Sequence, residues 1–153
     1  RYLAGTPVNS VFATGGKALN TEYEDYATLL MIFEDGKMGL CEANWLTPMK
    51  VRELSVTTTS HHIILDYLNQ HVDTFSSTFG EVKPSNLFQP PMATNHKQTT
   101  LKVIEPLKTE LIDFLNSTIS KKRPLVDAFD GLEAVRIVEA ATESIHTGSV
   151  VNL

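Results

Sequence analysis

The sequence predicts an α+β fold: an open-faced, mostly antiparallel sheet of about six strands, with two C-terminal helices on one face. Three observations predict it. Residues 8 to 77 carry five or six consecutive runs of strand length joined by short loops, which favours an antiparallel meander over βαβ units. Two apolar runs between Ala27 and Trp45 flank Asp35-Gly36, a pair that tolerates the positive φ of a two-residue type I′ hairpin. Helical spacing is confined to the part of the chain after Glu105.

The elements follow in order. Arg1 to Gly5 reads as the tail of a helix ended by a C′ glycine, so the chain is expected to be cut from something longer. Val8 to Lys17 reads as a strand, with Gly15-Gly16 as breakers. Residues 18–25, with Glu22, Glu24 and Asp25, read as a solvated acidic loop. In the first hairpin arm Leu29, Met31 and Phe33 point one way and Leu30 and Ile32 the other, so both faces are expected to be covered. After Trp45 and a turn at Pro48, strands are expected over Val51–Thr59, His62–Tyr67 and His71–Ser77. Residues 78 to 98, rich in Pro, Asn, Ser and Thr, read as a long irregular loop holding the buried-type Leu87 and Phe88, and Thr99 to Ile104 as one more strand.

The first helix takes Pro106 at N1, where the missing N–H is harmless. Leu107, Leu111, Phe114, Leu115 and Ile119 share a face, and Lys121, Lys122 and Arg123 are expected in the last turn before Pro124. The second is predicted to begin at Asp130, with Glu133 completing a capping box. Its core stripe reads Leu132, Val135, Val138, Ala141 and Ile145, widened by Ala134 and Ile137, and ends at Gly148. Val150 to Leu153 is expected to return as an edge strand. Helices cover one sheet face; the other also carries apolar side chains and is expected to meet a partner subunit or another domain.

Composition bounds the function. The 153 residues, 42% hydrophobic and 20% charged, suit one globular domain with a core. A net charge of −5 without a basic stripe argues against nucleic acid. No apolar run approaches the roughly 20 residues of a membrane span and no signal peptide is visible. The single Cys41 excludes an internal disulfide, fits a reducing, cytoplasmic compartment, and is expected as a small buried hydrophobe. No G-x-G-x-x-G or phosphate loop occurs. His61, His62 and His71 are the nearest approach to a cluster, but no carboxylate or cysteine joins them at a ligand spacing, so they are expected as surface or loop residues and no metal is expected. Ser60 beside His61 lacks the glycines of a nucleophile elbow, and no catalytic residue is identified. Trp45 ends a strand beside a turn bearing Lys50 and Arg52; the readings are packing for Trp45 with solvated cations, or a rim that touches a polar ligand.

Three stretches resemble the C-terminal domain of the glucose–fructose oxidoreductase / inositol dehydrogenase / MocA family: residues 24–39 (Glu-Asp-Tyr-Ala through Lys-Met-Gly), 105–115 (Glu-Pro-Leu-Lys-Thr-Glu-Leu) and 130–148, ending in Val-Val-Asn-Leu. The likeness covers essentially residues 1–153. The segment Asp66-Tyr67-Leu68-Asn69-Gln70 looks most like sugar-nucleotide dehydrogenases of an amino- or N-acetylamino-sugar. The resemblance implies an N-terminal Rossmann domain binding NAD or NADP, absent here together with the catalytic residues. It also implies a hydride transfer on a sugar, sugar nucleotide or polyol, and a homodimer or tetramer through the open sheet face. It places Lys50 and Arg52 where the family often has substrate-facing loop positions. Where relatives have Gly-Thr-x-Gly, this chain has Thr58-Thr59-Ser60-His61-His62, which makes a tight positive-φ turn harder. The alternative is a non-catalytic α+β dimerisation or binding domain, since fold alone does not give function.

Overall fold

The computed structural model describes residues 1–19, 22–79, 84–86 and 92–153. The chain forms two compact units, residues 1–48 with 113–153, and residues 49–112. Among the described residues strands number eight rather than six, in two open antiparallel sheets of four instead of one layer.

In the first unit the order is β3-β2-β1-β8, with β1 Val8–Gly16, β2 Tyr26–Phe33, β3 Met38–Asn44 and β8 Val151–Asn152. The β2–β3 connection is a three-residue loop, not a two-residue type I′ turn. Phe33 N–H donates to the Lys37 carbonyl at 2.9 Å and Gly36 N–H to the Phe33 carbonyl at 2.9 Å. Gly36 alone takes positive φ (82°), which is the three-residue hairpin with glycine in the left-handed position. Gly15 and Gly16 continue β1 rather than breaking it. A Cβ on Gly15 would lie 2.6 Å from the Tyr26 carbonyl oxygen and 3.0 Å from Ile145 Cδ1, so glycine here permits a close approach of strand and helix.

Helix α2 spans Ala128–Thr147 and packs on β1 and β8. Its N-cap is Asp127, three residues earlier than the sequence suggested, and the capping box pairs Asp127 with Asp130. The Asp127 carboxylate accepts from the N–H groups of Phe129 and Asp130, and Asp130 accepts from Asp127 N–H. Gly148 closes the helix in the left-handed conformation, its N–H on the Ser144 carbonyl at 2.8 Å. The buried stripe is also rotated from expectation. Ala140, Ala141 and Ser144, with Ile137 and Ile145, face Val8, Val11, Ala13 and Phe33, while Leu132, Val135 and Val138 stay exposed. A helix apolar on two sides leaves the choice of face to the sheet, which takes the small residues because they allow the closer approach.

Past the two-residue β8, Ala13 N–H has no strand partner. The Ser144 hydroxyl, 0% exposed, accepts it at 2.8 Å and donates to the Ser149 carbonyl at 2.6 Å. Helix α1, Pro106–Ser120, buries no side chain, so the apolar stripe its spacing forecasts stays at the surface. The helix ends at Ser120 and Lys121 turns away with φ 55°, which leaves Lys121, Lys122 and Arg123 beyond its last turn.

In the second unit the order is β4-β5-β6-β7: Glu53–Thr57, His61–Asp66, His71–Phe79 and Met92–Thr100. The expected loop over 78–98 is therefore strand at 78–79 and 92–98, with a 3-10 turn at Pro84–Asn86, and residues 101–104 are not strand. Polar Thr, Asn and Gln on an exposed edge strand give no periodic signal. Leu87, Phe88, Pro90 and Pro91 lie outside the described residues. The β4–β5 turn is tight without positive φ. Thr58 N–H donates to the His61 carbonyl at 2.8 Å, and the Thr58 hydroxyl accepts from the N–H of Ser60 and of His61. A hydroxyl here supports the backbone turn where the family pattern uses glycine.

Candidate functional site

Trp45 belongs to the first unit, and Lys50 and Arg52 to the second. Trp45 is pinned by its backbone: its N–H donates to the Asp25 carbonyl at 2.8 Å, and Asn44 Oδ1 accepts from the N–H of Leu46 and of Thr47. The indole itself is 87% exposed, so core packing within this chain is ruled out. Asp25 is not the solvated loop acid expected from its neighbours. It is 6% exposed, and its Oδ2 accepts from Ala18 N–H at 2.7 Å and Leu19 N–H at 2.6 Å. One residue thus holds both the 17–25 loop and the end of β3.

In the second unit Lys50 and Arg52 are exposed and, among the described residues, their side chains have no ion pair or hydrogen bond. The Arg52 carbonyl accepts from Tyr67 N–H at 3.0 Å, which places the Arg52 backbone beside the Asp66–Gln70 turn. Asp66 shapes that turn by accepting from the N–H of Leu68 and Asn69 and from the Asn69 amide. These bonds, the Asn69 N–H foremost, hold its carboxyl below the usual 3.8. Gln70, at φ 51°, ties the turn to residues 101–104: its amide donates to the Ile104 carbonyl at 2.9 Å and accepts from Ile104 N–H at 3.0 Å. Lys50 and Arg52 thus present two cations of different geometry, a point charge and a planar fork.

The three histidines singled out by sequence do not converge. His61 pairs with the Ser60 hydroxyl at 2.7 Å, and His62 with the hydroxyls of Thr57 and Ser55. His71 instead joins His96 around a carboxylate. Asp73 accepts from His96 Nε2 at 2.6 Å and from Gln98 at 3.1 Å, with His71 Nε2 at 3.3 Å. The His96 hydrogen bond first, then Gln98 and the two imidazole charges, outweigh partial desolvation and hold the Asp73 carboxyl below 3.8. So a carboxylate does join His71, as an ion-pair partner. Among the described residues no group of three or more His, Cys, Asp or Glu could hold a metal ion. Cys41 is exposed on edge strand β3 rather than buried.

An open cleft of about 520 Å³ lies at the start of α2, lined by Arg1, Arg123, Arg136, Glu34, Phe129 and Glu133. Each guanidinium already has a carboxylate: Arg1 on Asp130, Arg123 on Asp127 at 2.6 Å, Arg136 on Glu133 at 3.1 Å. Neutralised in this way, the cleft has no free positive charge for a phosphate. Gly15-Gly16 sits inside a strand ladder with no helix start after it. No described helix is long and apolar enough to cross a membrane.

Two open antiparallel sheets and two helices define an α+β fold. The profile of the oxidoreductase family C-terminal alpha/beta domain matches residues 1–153, and the chain belongs to that Gfo/Idh/MocA family. No curated protein matches the sequence. Among solved structures, UDP-N-acetylglucosamine 3-dehydrogenase GnnA from Acidithiobacillus ferrooxidans aligns with TM-score 0.70 and 22% identity, over 91% of this chain and 41% of its own. Aldose-aldose oxidoreductase from Caulobacter crescentus, complexed with glycerol, gives 0.73 and 18%, over 100% and 43%. Levoglucosan dehydrogenase, in complex with NADH and levoglucosan, gives 0.75 and 16%, over 100% and 46%. At these identities the likeness is one of fold, and the chain spans less than half of each of these three neighbours.

Proposed function

We propose that this chain is the C-terminal, substrate-side and oligomerisation domain of a cytoplasmic NAD(P)-dependent dehydrogenase acting on a sugar, sugar nucleotide or polyol. The observation that carries the reading is the family match over residues 1–153. The solved neighbours' own descriptions name a UDP-sugar dehydrogenase, an aldose oxidoreductase and a dehydrogenase holding NADH and an anhydrosugar. In this reading a Rossmann domain preceding residue 1 holds NAD or NADP and the catalytic residues, and this domain supplies walls to the substrate site. Lys50 and Arg52 meet phosphate or hydroxyl oxygens and Trp45 offers a stacking face. The protein contributes orientation and electrostatics; the nicotinamide contributes the hydride chemistry. A homodimer or tetramer forms through the open face of the first sheet, where Phe12, Leu30 and Leu40 share a row across β1, β2 and β3.

The test is the full-length protein. The coding sequence upstream of residue 1 is expected to encode a βαβ unit with G-x-G-x-x-G and a lysine. The purified enzyme is expected to reduce NAD⁺ or NADP⁺ with UDP-N-acetylglucosamine, a free sugar or a polyol. The 153-residue chain alone is expected to show no micromolar NAD(H) binding. An upstream region without that fingerprint, and no turnover on the three substrate classes, would leave the stand-alone dimerisation or binding domain as the reading.

A further inference from the structure

One face of the second sheet carries three imidazoles and three carboxylates and neither lysine nor arginine. The strand register puts Thr57, His62, Phe75 and His96 in one row, Ser55, Ile64, Asp73 and Gln98 in the next, and Glu53, Asp66, His71 and Thr100 in a third. Lys97 and His61 lie on the opposite face by alternation. Each of the other titratable groups on this face has a different role or a more distant place. Asp66 is taken up by the 67–70 turn, His62 by the Thr57 and Ser55 hydroxyls, and Glu53 stands on β4, across β5 from His71. Asp73 is therefore the hydrogen-bond acceptor for His96 on β7, with His71 of its own strand 3.3 Å away as an ion-pair partner. His96 also stacks on Phe75 of β6, with ring centroids 4.5 Å apart and planes 7° from parallel.

This placement matters because β7 has little else to hold it. It is an edge strand, and its side chains from Ala93 to Thr100 are all exposed. Its attachment is the backbone ladder to β6, the His96–Phe75 stack and the bonds that His96 and Gln98 make to Asp73. Asp73 is ionised, so His96 Nε2 carries hydrogen and donates at any protonation state of the ring. The carboxylate already makes this bond charge-assisted, and proton uptake at Nδ1 adds the attraction of an ion pair. Histidine is the side chain whose charge changes in the physiological range.

We propose that His96 and Asp73 form a pH-graded clasp that fastens edge strand β7 to β6 more tightly as the imidazole takes up a proton. The clasp is graded, since the neutral ring keeps its hydrogen bond. It fades again when Asp73 itself is protonated.

Native-state amide exchange on the full chain tests this. Protection factors of the Ala93–Thr99 amides, corrected for intrinsic rate, are expected to rise about two- to fivefold from pH 7.5 to pH 5.5, the size exposed ion pairs give. The β1–β2 amides of the first unit serve as the internal reference. Asp73→Asn is expected to abolish the rise and to leave the reference amides unchanged. His96→Gln keeps a donor but no titration, and is expected to lose most of the rise even if Asp73→Asn does not fold. A flat wild-type profile, or an undiminished rise in His96→Gln, overturns the clasp.

Discussion

Ser144 carries more of the first unit than its size suggests. It bridges the helix and an edge of β1 that β8 no longer covers, with the Ala13 bond buried and the Ser149 bond part-buried. Ser144→Ala leaves the Ala13 N–H buried and unpaired, so a loss of about 1–3 kcal/mol is expected in denaturant unfolding. Gly15→Ala should destabilise for a different reason, since a methyl 2.6 Å from the Tyr26 carbonyl must move backbone. It is expected to lower the thermal midpoint, while a control change at the open Gly131 should not do so by steric crowding. On the substrate side, Arg52→Ala in the full-length enzyme removes a charged donor. If Arg52 meets a nucleotide phosphate, KM for a sugar nucleotide rises about tenfold or more, while KM for a neutral sugar is little changed; equal effects on both would remove the phosphate role. Neither Ser144 nor Asp25 was legible in advance, because a serine in a helix and an aspartate in an acidic stretch look the same whether solvated or buried.

Helix α2 shows how an element's ends answer to charge. Burial opposes ionisation of Asp127, but the N–H of Asp130, the Arg123 guanidinium and the N–H of Phe129 outweigh it, and its carboxyl lies below 3.8. A depressed carboxyl stabilises the fold above its unfolded value and loses that contribution as pH falls through the folded one. Asp127 and Asp73 therefore contribute to an acid limb that begins near pH 3.8 and extends below it. Asp127→Asn keeps a good cap without the charge. It is expected to lower neutral-pH stability by the contribution the ionised carboxyl makes there and so to flatten that limb in thermal melts taken from pH 5 to pH 2; an unaltered limb would assign the acid sensitivity elsewhere. Most elements were legible from spacing: the β2–β3 hairpin, the meander through β6, both helices and the terminal strand. What escaped has a common cause. The hairpin loop, the rotated stripe of α2, the turn at Thr58 and strand β7 were each decided by a partner, whether a carbonyl, a sheet face or a hydroxyl, that a linear pattern does not contain.

At the scale of the whole molecule, the apolar surface left outside the core bears on assembly. Phe12, Leu30 and Leu40 lie side by side across three strands, Leu40 at 73% exposed, with Ile32 and Met38 in the adjoining row. Single exposed apolar residues are ordinary; a contiguous row on a sheet face marks an interaction surface. The sequence predicts both faces of β2 covered; within this chain one is, since Leu29, Met31 and Phe33 meet α2's side while Leu30 faces away and is exposed. The proposed occupant is a second copy through the same face, which a two-fold axis makes self-complementary. Leu40→Lys places a charge in the centre of such an interface but touches nothing in the core. It is expected to shift the full-length protein toward monomer in sedimentation at micromolar concentration, with the unfolding midpoint of the isolated monomer unchanged. Leu132→Lys, on the exposed side of α2, is the matched control and should leave the assembly intact. If Leu40→Lys assembles as the wild type does and Leu132→Lys does not, the interface belongs to the helix side and the sheet-face assignment fails.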